Sequence, residues 1–232
     1  MAIFADNITK RFRRGKTKNE FTALKPTSFK LESGSLIALK GKSGSGKSTL
    51  INMVSGILKP TEGNVFYDGE DIYKLSDREL SKIRNQDFGY ITQIHSPIAS
   101  LNVIENILLP YTLFNGISGI KKGGIDDQSP VYERAINLME RLDMDHLRYA
   151  MPSELSGGEL KRMMIIRALI KNPTYIFADE PTADLDEANT IKVFELFKNL
   201  ASGGAAILVA SHESEIEEYA DKVYYIESAR SL

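Results

Sequence analysis

Gly41-Lys42-Ser43-Gly44-Ser45-Gly46-Lys47-Ser48 matches the pattern G-x4-G-K-[ST], and its surroundings decide the fold. An apolar run at residues 36–39 leads into it and a helical pattern at 49–57 follows, so the expected order is strand, glycine turn, helix. Glycines let the backbone curl until successive N–H groups and the helix N-terminus face one point, which makes a receptacle for phosphate oxygens. Within it Lys47 would neutralise the β- and γ-phosphates of a nucleotide, and the Ser48 hydroxyl would ligate Mg²⁺. The expected binding set is Gly41, Lys42, Ser43, Gly44, Ser45, Gly46, Lys47, Ser48 and the adjoining Thr49.

A second component lies far downstream, in Thr174-Tyr175-Ile176-Phe177-Ala178-Asp179-Glu180-Pro181. The run 175–178 is short and apolar, as a buried parallel strand is, and it delivers two carboxylates to the strand's carboxyl end. Open α/β sheets bind their ligands at that edge. Asp179 is placed to hold Mg²⁺, directly or through water, and Glu180 to orient or deprotonate an attacking water. An Asp-Glu pair closing a strand also serves as a helix cap or a solvated turn; beside the glycine turn, the catalytic reading takes precedence. A third stretch, Leu155-Ser156-Gly157-Gly158-Glu159, opens a helical pattern at 160–170. Ser156, Gly157 and Gly158 make a second anion-receptive helix start, although an ordinary cap has the same composition. Two such starts in one chain imply a nucleotide shared between two copies.

Outward from these stretches, strands and helices alternate over most of the chain, the pattern of a parallel sheet with covering helices. Two segments break it. Residues 2–12 and 21–31 flank a loop containing Gly15, as two antiparallel neighbours would. Residues 101–151 carry helical patterns at 102–113 and 132–142 and no convincing strand, which reads as a helical subdomain inserted into the α/β core. Within it, residues 116–130 read as a surface loop on Gly123-Gly124, Asp126-Asp127 and Pro130.

Composition narrows the function. Over 232 residues, 29 Lys and Arg against 31 Asp and Glu leave a net charge of −2, which excludes a strongly basic nucleic-acid-coating protein. No nucleic-acid partner is expected. With 42% hydrophobic residues the chain can bury a sizeable core. It has no cysteine, which removes disulfides, thiolate zinc sites and thiol catalysis together. The most apolar stretches, 103–114 and 163–170, are short and interrupted by Glu105 and Arg167, so no membrane-spanning segment is expected, and if a membrane matters another chain must cross it. The start carries no charged-then-apolar leader, and the expected location is the cytoplasm.

With these motifs in place, the chain resembles the ATP-binding subunits of ABC transporters nearly end to end. Gly41 to Ser48 is similar to the Walker A loop of that family, Tyr175 to Glu180 to Walker B, and Leu155 to Glu159 to the signature sequence. Gln93, in Phe88-Gly-Tyr-Ile-Thr-Gln93, resembles the glutamine that contacts Mg²⁺ and reports to the transmembrane partner. Asp186 resembles the D-loop aspartate, His212 the switch histidine that contacts the γ-phosphate, and Phe12 the aromatic residue that stacks on adenine. The resemblance implies a P-loop NTPase α/β core of mainly parallel sheet, with an N-terminal antiparallel β subdomain and an inserted α-helical subdomain. One domain over residues 1–232 is expected, with its core at 1–100 and 172–232 and the helical part at about 101–171. The implied activity is hydrolysis of ATP with Mg²⁺ by a homodimer formed on ATP. The implied partner is an integral-membrane permease, on whose inner face the subunit would sit.

A finer resemblance, to the lipoprotein-release, macrolide-export and antimicrobial-peptide-resistance group, rests on Asp68-Gly-Glu-Asp-Ile, Leu75-Ser-Asp-Arg-Glu-Leu, Ile83-Arg, Phe88-Gly-Tyr, and Val103-Ile-Glu-Asn-Ile with Pro110. Alternatives of other classes are a nucleotide-gated regulatory module, such as a cell-division protein of this fold group, and a soluble ABC ATPase acting on nucleic acid. Intact Glu180 and His212 argue against the first. A single cassette without coiled-coil insertions argues against the second.

The chain departs from the family pattern at several positions. Glu159 stands where Gln is common, and Lys161 near the same helix start alters the local charge. Ala183-Asp184 replaces a Ser/Gly-Ala pair, Thr92 an aromatic, Ser211-His212-Glu213 a Thr-His-Asp, and Phe12 a Tyr. None removes a phosphate, Mg²⁺ or base ligand. The basic run Lys10, Arg11, Arg13, Arg14, Lys16 and Lys18 reads as a solvated loop, with nucleotide, lipid or partner contact by Arg13 or Arg14 as the sharper alternative.

Overall fold

The computed structural model describes residues 2–13, 20–94, 96–115, 120–121, 124–125 and 128–227. Along them the chain forms β1 (Ala2–Arg13), β2 (Glu20–Glu32), β3 (Leu36–Lys40), α1 (Lys47–Val54), β4 (Glu62–Tyr67), β5 (Glu70–Asp71), α2 (Asp77–Asp87) and β6 (Phe88–Ile91). It continues through α3 (Val103–Asn115), β7 (Ile120–Lys121), β8 (Gly124–Ile125), α4 (Pro130–Arg141), α5 (Gly157–Leu169) and β9 (Tyr175–Asp179). Then follow α6 (Glu187–Ser202), β10 (Ala206–Ala210), α7 (Ile216–Tyr219) and β11 (Lys222–Tyr225).

The central sheet has the order β11-β3-β10-β9-β6, and every neighbouring pair is parallel. Its inner strands β9 and β10 are buried at every residue, because both faces are covered. The faces divide by the alternation of side chains along a strand. Leu36, Ala38, Ile176, Ala178, Ile207 and Val209 share one core with Ile104, Leu138, Ile166 and Phe194 of the helices. Ile37, Leu39, Tyr175, Phe177, Leu208 and Ala210 share the other with Leu50 and Met53 of α1 and with Ile3 and Val65. Ile3 and Val65 belong to a second, antiparallel sheet, β2-β1-β4-β5. The α/β fold with an antiparallel β part and an inserted run of helices is therefore the one the sequence predicts.

Local details differ. Helix α1 starts at Lys47 and ends at Val54, rather than spanning 49–57, because Gly46 supplies the entry and Gly56, at φ 72°, turns the chain out of it. Between α3 and α4, where no strand is expected, β7 and β8 pair antiparallel over two residues each, too few for alternation to register in a sequence. Pro130 is the first residue of α4, not part of a loop; its fixed φ and missing N–H suit that position. Gly123, Asp126 and Asp127 lie outside the described residues.

Asn106 shows why an amide sits in the first turns of α3. Wholly buried, it accepts from the Ile98 N–H at 2.8 Å and donates to the carbonyls of Ile98, Leu101 and Asn102, which pins the segment entering the helix. Among the described residues, no helix is long and apolar enough to cross a membrane.

Register decides where the functional segments emerge. Ala210 pairs with Leu39 on one side and Asp179 on the other, and Ile91 pairs with Ala178. The segments that leave β3, β6, β9 and β10 therefore start side by side along one carboxyl edge. Most of the longer helices begin with a side-chain cap: Ser76 on α2, Ser129 on α4, Ser156 on α5 and Asp186 on α6. Helix α1 has none, so its first N–H groups are left to another acceptor.

Candidate nucleotide site

Gly46 sets the shape of the turn. It caps α1 at φ 109°, and a Cβ there would lie 2.5 Å from the Ala23 carbonyl oxygen of β2, so only glycine fits both the conformation and the contact. Lys47 opens the helix and is only 5% exposed. Its ammonium donates to the Gly41 carbonyl at 2.9 Å and lies 3.9 Å from Glu180 Oε1. Burial pushes its pKa down, against the pull of the Glu180 and Asp179 carboxylates.

His212 Nε2 is 3.1 Å from the Lys47 ammonium and 3.2 Å from Glu180 Oε1. One ring nitrogen cannot accept from the first and donate to the second. The tautomer with a bare Nε2 accepts from Lys47, and the Nε2–H form donates to Glu180. Cation, carboxylate and imidazole thus occupy one another at the mouth of the turn.

Glu180 adopts φ 51°, the left-handed region, immediately after a strand. For a non-glycine residue this costs on the order of 1–3 kcal/mol and persists only where the surroundings enforce it. Here the Glu180 N–H donates to the Ala210 carbonyl at 2.9 Å, and the turned backbone delivers the carboxylate to the cleft instead of continuing the sheet.

Asp179 is buried at the strand end, and its Oδ1 has no hydrogen-bond partner; nor has the buried Ser45 hydroxyl in the turn. Among the described residues, no three His, Cys, Asp or Glu side chains group to hold a metal ion. The Ser48 hydroxyl and the orphaned Asp179 oxygen instead fit a hard cation that draws most of its ligands from phosphate and water.

Phe12, the turn residues 43–49, Gln93, Glu180 and His212 line one cleft of about 570 Å³. Gly41 lies behind the turn as acceptor for Lys47, and Lys42 faces solvent. Phe12 packs against Phe21 at 5.9 Å, with the Lys10 ammonium 5.3 Å from its ring centre. Arg13 pairs with Glu20 at 3.1 Å with its side chain largely in solvent, and it does not line the cleft. Arg14, Lys16 and Lys18 lie outside the described residues.

Ser156, Gly157, Gly158 and Asp186 are not brought to this cleft. The Ser156 hydroxyl accepts from the Glu159 N–H at 3.3 Å, while the Glu159 carboxylate accepts from the Ser156 N–H at 2.7 Å. This capping box gives the departure from Gln a local purpose, and the Ser156 N–H holds the Glu159 carboxyl below its usual range. Gly158 packs close under the next segment, where an added Cβ would meet the Asp184 carbonyl at 3.3 Å. Asp186 caps α6, accepting from the Asn189 N–H at 2.8 Å.

Sequence reasoning missed one residue of the site's support. Lys161 is completely buried and its ammonium donates to the carbonyls of Thr92, Gln93 and Glu180 at 3.4, 3.1 and 3.2 Å. Its charge is therefore directed inward and does not alter the surface of the helix start. The signal was its phase: 161, 165 and 169 form one stripe of α5 on which Ile165 and Leu169 are core residues.

The comparisons with known proteins agree with this architecture. The family model described as ABC transporter matches residues 24–183. The lipoprotein-releasing system ATP-binding protein LolD of Buchnera aphidicola subsp. Schizaphis graminum (strain Sg) is 37% identical over 208 residues, 89% of this chain and 86% of that protein. The dimeric structure of MJ0796, a bacterial ABC transporter cassette, superposes with a TM-score of 0.85 at 30% identity, over 99% of this chain and 100% of that one. A post-hydrolysis state of the same cassette bound to ADP and Pi gives the same values. With a glycine turn, an acidic strand end and a capped second helix start inside the matched span, the chain belongs to the ABC transporter family, as an ATP-binding cassette of its ATPases.

Proposed function

We propose that this cassette binds ATP and Mg²⁺ in the cleft, closes on them as a homodimer, and powers an integral-membrane permease of the export or lipoprotein-release kind. The observation that carries the reading is a separation within one chain. The glycine turn lines the cleft with Phe12, Glu180 and His212, while the Ser156 helix start lies outside it. Two phosphate-seeking helix starts then complete one site only when a second copy supplies the other.

In that arrangement Phe12 stacks on adenine, and the N–H groups of the turn and of the uncapped α1 bind the phosphate oxygens. Lys47 exchanges its contacts with Glu180 and His212 for the phosphates. Bound Mg²⁺ would supply neutralisation of charge on the β- and γ-phosphates, and Ser48, Asp179 and Gln93 are the residues that would hold it. Glu180 orients or deprotonates water for in-line attack, and His212 and Gln93 respond to the γ-phosphate. The Ser156, Gly157 and Gly158 start of the second copy grips the far side, and Asp186 sits at the seam between copies. Hydrolysis removes the charge that joins the two. The likeness to LolD, an ATP-binding protein of a lipoprotein-releasing system, supports the reading of a permease partner and of a position at the membrane through that partner.

The test uses the absence of native cysteine. A chain carrying Ser43→Cys and Ser156→Cys, both exposed positions, is treated with a short bismaleimide. Crosslinked dimer is expected with a nonhydrolysable ATP analogue and Mg²⁺ and not without them. A monomer under every condition, with the permease present as well, overturns the reading.

Phe12→Ala tests the adenine platform. Base stacking on an aromatic ring is worth ~1–3 kcal/mol, so the Kd for ATP, measured by calorimetry, is expected to weaken about 5- to 150-fold. Phe12 is 36% exposed, which favours the lower end of that range.

A further inference from the structure

We propose that Lys161 is a positioning residue for ATP hydrolysis, tying the Glu180 backbone and the Gln93 segment to the helix that begins at Ser156. The inference rests on the assignment of Glu180 and Gln93 to the reaction made above.

Packing does not explain a lysine at this place. The stripe 161, 165 and 169 faces the core, and a methionine of similar length would fill the same space without desolvating a charge. No carboxylate forms an ion pair with Lys161 among the described residues. Its ammonium instead has three N–H groups and three carbonyl acceptors, those of Thr92, Gln93 and Glu180. Burial pushes its pKa down, while the more distant Asp184, Asp179 and Glu180 favour the charged form.

The three acceptors all lie past the ends of strands. Thr92 and Gln93 follow β6, and Glu180 follows β9. These are two of the three segments past strand ends that carry proposed catalytic side chains, the third being that of His212 after β10. Glu180 needs support, because its left-handed conformation at φ 51° is strained. Its N–H is held by the Ala210 carbonyl at 2.9 Å, and its own carbonyl by Lys161 at 3.2 Å. The peptides on either side of the Glu180 Cα are thus both held, one by the sheet and the other by α5. Because the start of α5 serves the second copy's nucleotide, Lys161 also connects one site of the dimer to the other.

The experiment compares the full chain with Lys161→Met and Lys161→Gln. Three quantities are read: Kd for ATP, kcat for phosphate release, and hydrogen exchange of residues 88–98 without nucleotide. For Lys161→Met, Kd is expected within about threefold of the parent, while kcat falls about 10- to 100-fold through misplacement of Glu180 and Gln93. Exchange in the segment speeds up. Lys161→Gln keeps two N–H donors and is expected to recover most of kcat, to about threefold below the parent, with slower exchange than the Met variant.

A purely structural role would lower the melting temperature of both variants and scale kcat with the folded fraction, without separating it from Kd. A Met variant with parental kcat, or with unchanged exchange, overturns the proposal. If Lys161→Met does not fold, Lys161→Leu, which likewise has no donor, takes its place: parental kcat, or exchange at the parental rate, overturns the proposal. If the parent itself releases no phosphate, the assignment of Glu180 fails, and exchange of residues 88–98 still decides the tether.

Discussion

Glu180→Gln is expected to slow phosphate release about 10²- to 10⁴-fold, the range lost with a general base, and to leave ATP bound. The amide keeps the size of the side chain and removes its charge. Glu180 is 16% exposed and stands 3.2 Å from His212 Nε2 and 3.9 Å from the Lys47 ammonium, so its charge acts in a largely enclosed site. Removing it takes a negative group away from the place proposed for the γ-phosphate, and ground-state binding does not suffer. With hydrolysis blocked, the charge that joins two copies persists, and the dimer accumulates. Light scattering with ATP and Mg²⁺ would then show a doubled mass for the variant, and a phosphate-release assay its lost turnover. Parental turnover would show that another group activates water.

Lys47→Ala is expected to act on binding instead. A hydrogen bond to a charged group contributes ~1.5–3 kcal/mol, and the ammonium is placed to reach two phosphates, so ATP affinity should fall by roughly 150-fold or more. Truncation also leaves Glu180 and Asp179 without the nearby cation, adding repulsion toward an incoming triphosphate. Calorimetric titration measures the loss directly. Retention of tight binding would contradict the proposed cradle. The two variants therefore separate chemistry from affinity: the glutamine variant binds and does not turn over, the alanine variant scarcely binds.

Much of this architecture is legible in the sequence. Unbroken apolar runs at 36–39 and 175–178 become strands covered on both faces, and the glycine turn between strand and helix stands where its pattern requires. Gln93, Glu180 and His212, scattered over the chain, meet in one cleft because parallel register aligns the strand ends they follow, and Phe12 joins them from antiparallel β1. What escaped has physical reasons. Two-residue strands carry no periodicity, and a proline reads equally as a loop or as the first residue of a helix. Lysine is usually a surface residue, and the phase of Lys161 within an apolar stripe is the one sign in the sequence of its burial. Its acceptors are backbone carbonyls, which no side-chain pattern announces. At Ser156 the sequence allows both a cap and an anion-receptive helix start, and only the geometry shows Glu159 completing a capping box.

The segments that carry Lys47, Gln93, Glu180 and His212 all leave the central sheet at its carboxyl edge, and the chain enters its strands from the opposite rim. There the turns at Ser33, Asn172 and Gly203 are exposed and only join strands and helices. That rim is the natural attachment point for a spectroscopic reporter or a surface tether, which could follow the motions of the working edge from a distance without competing for its ligands.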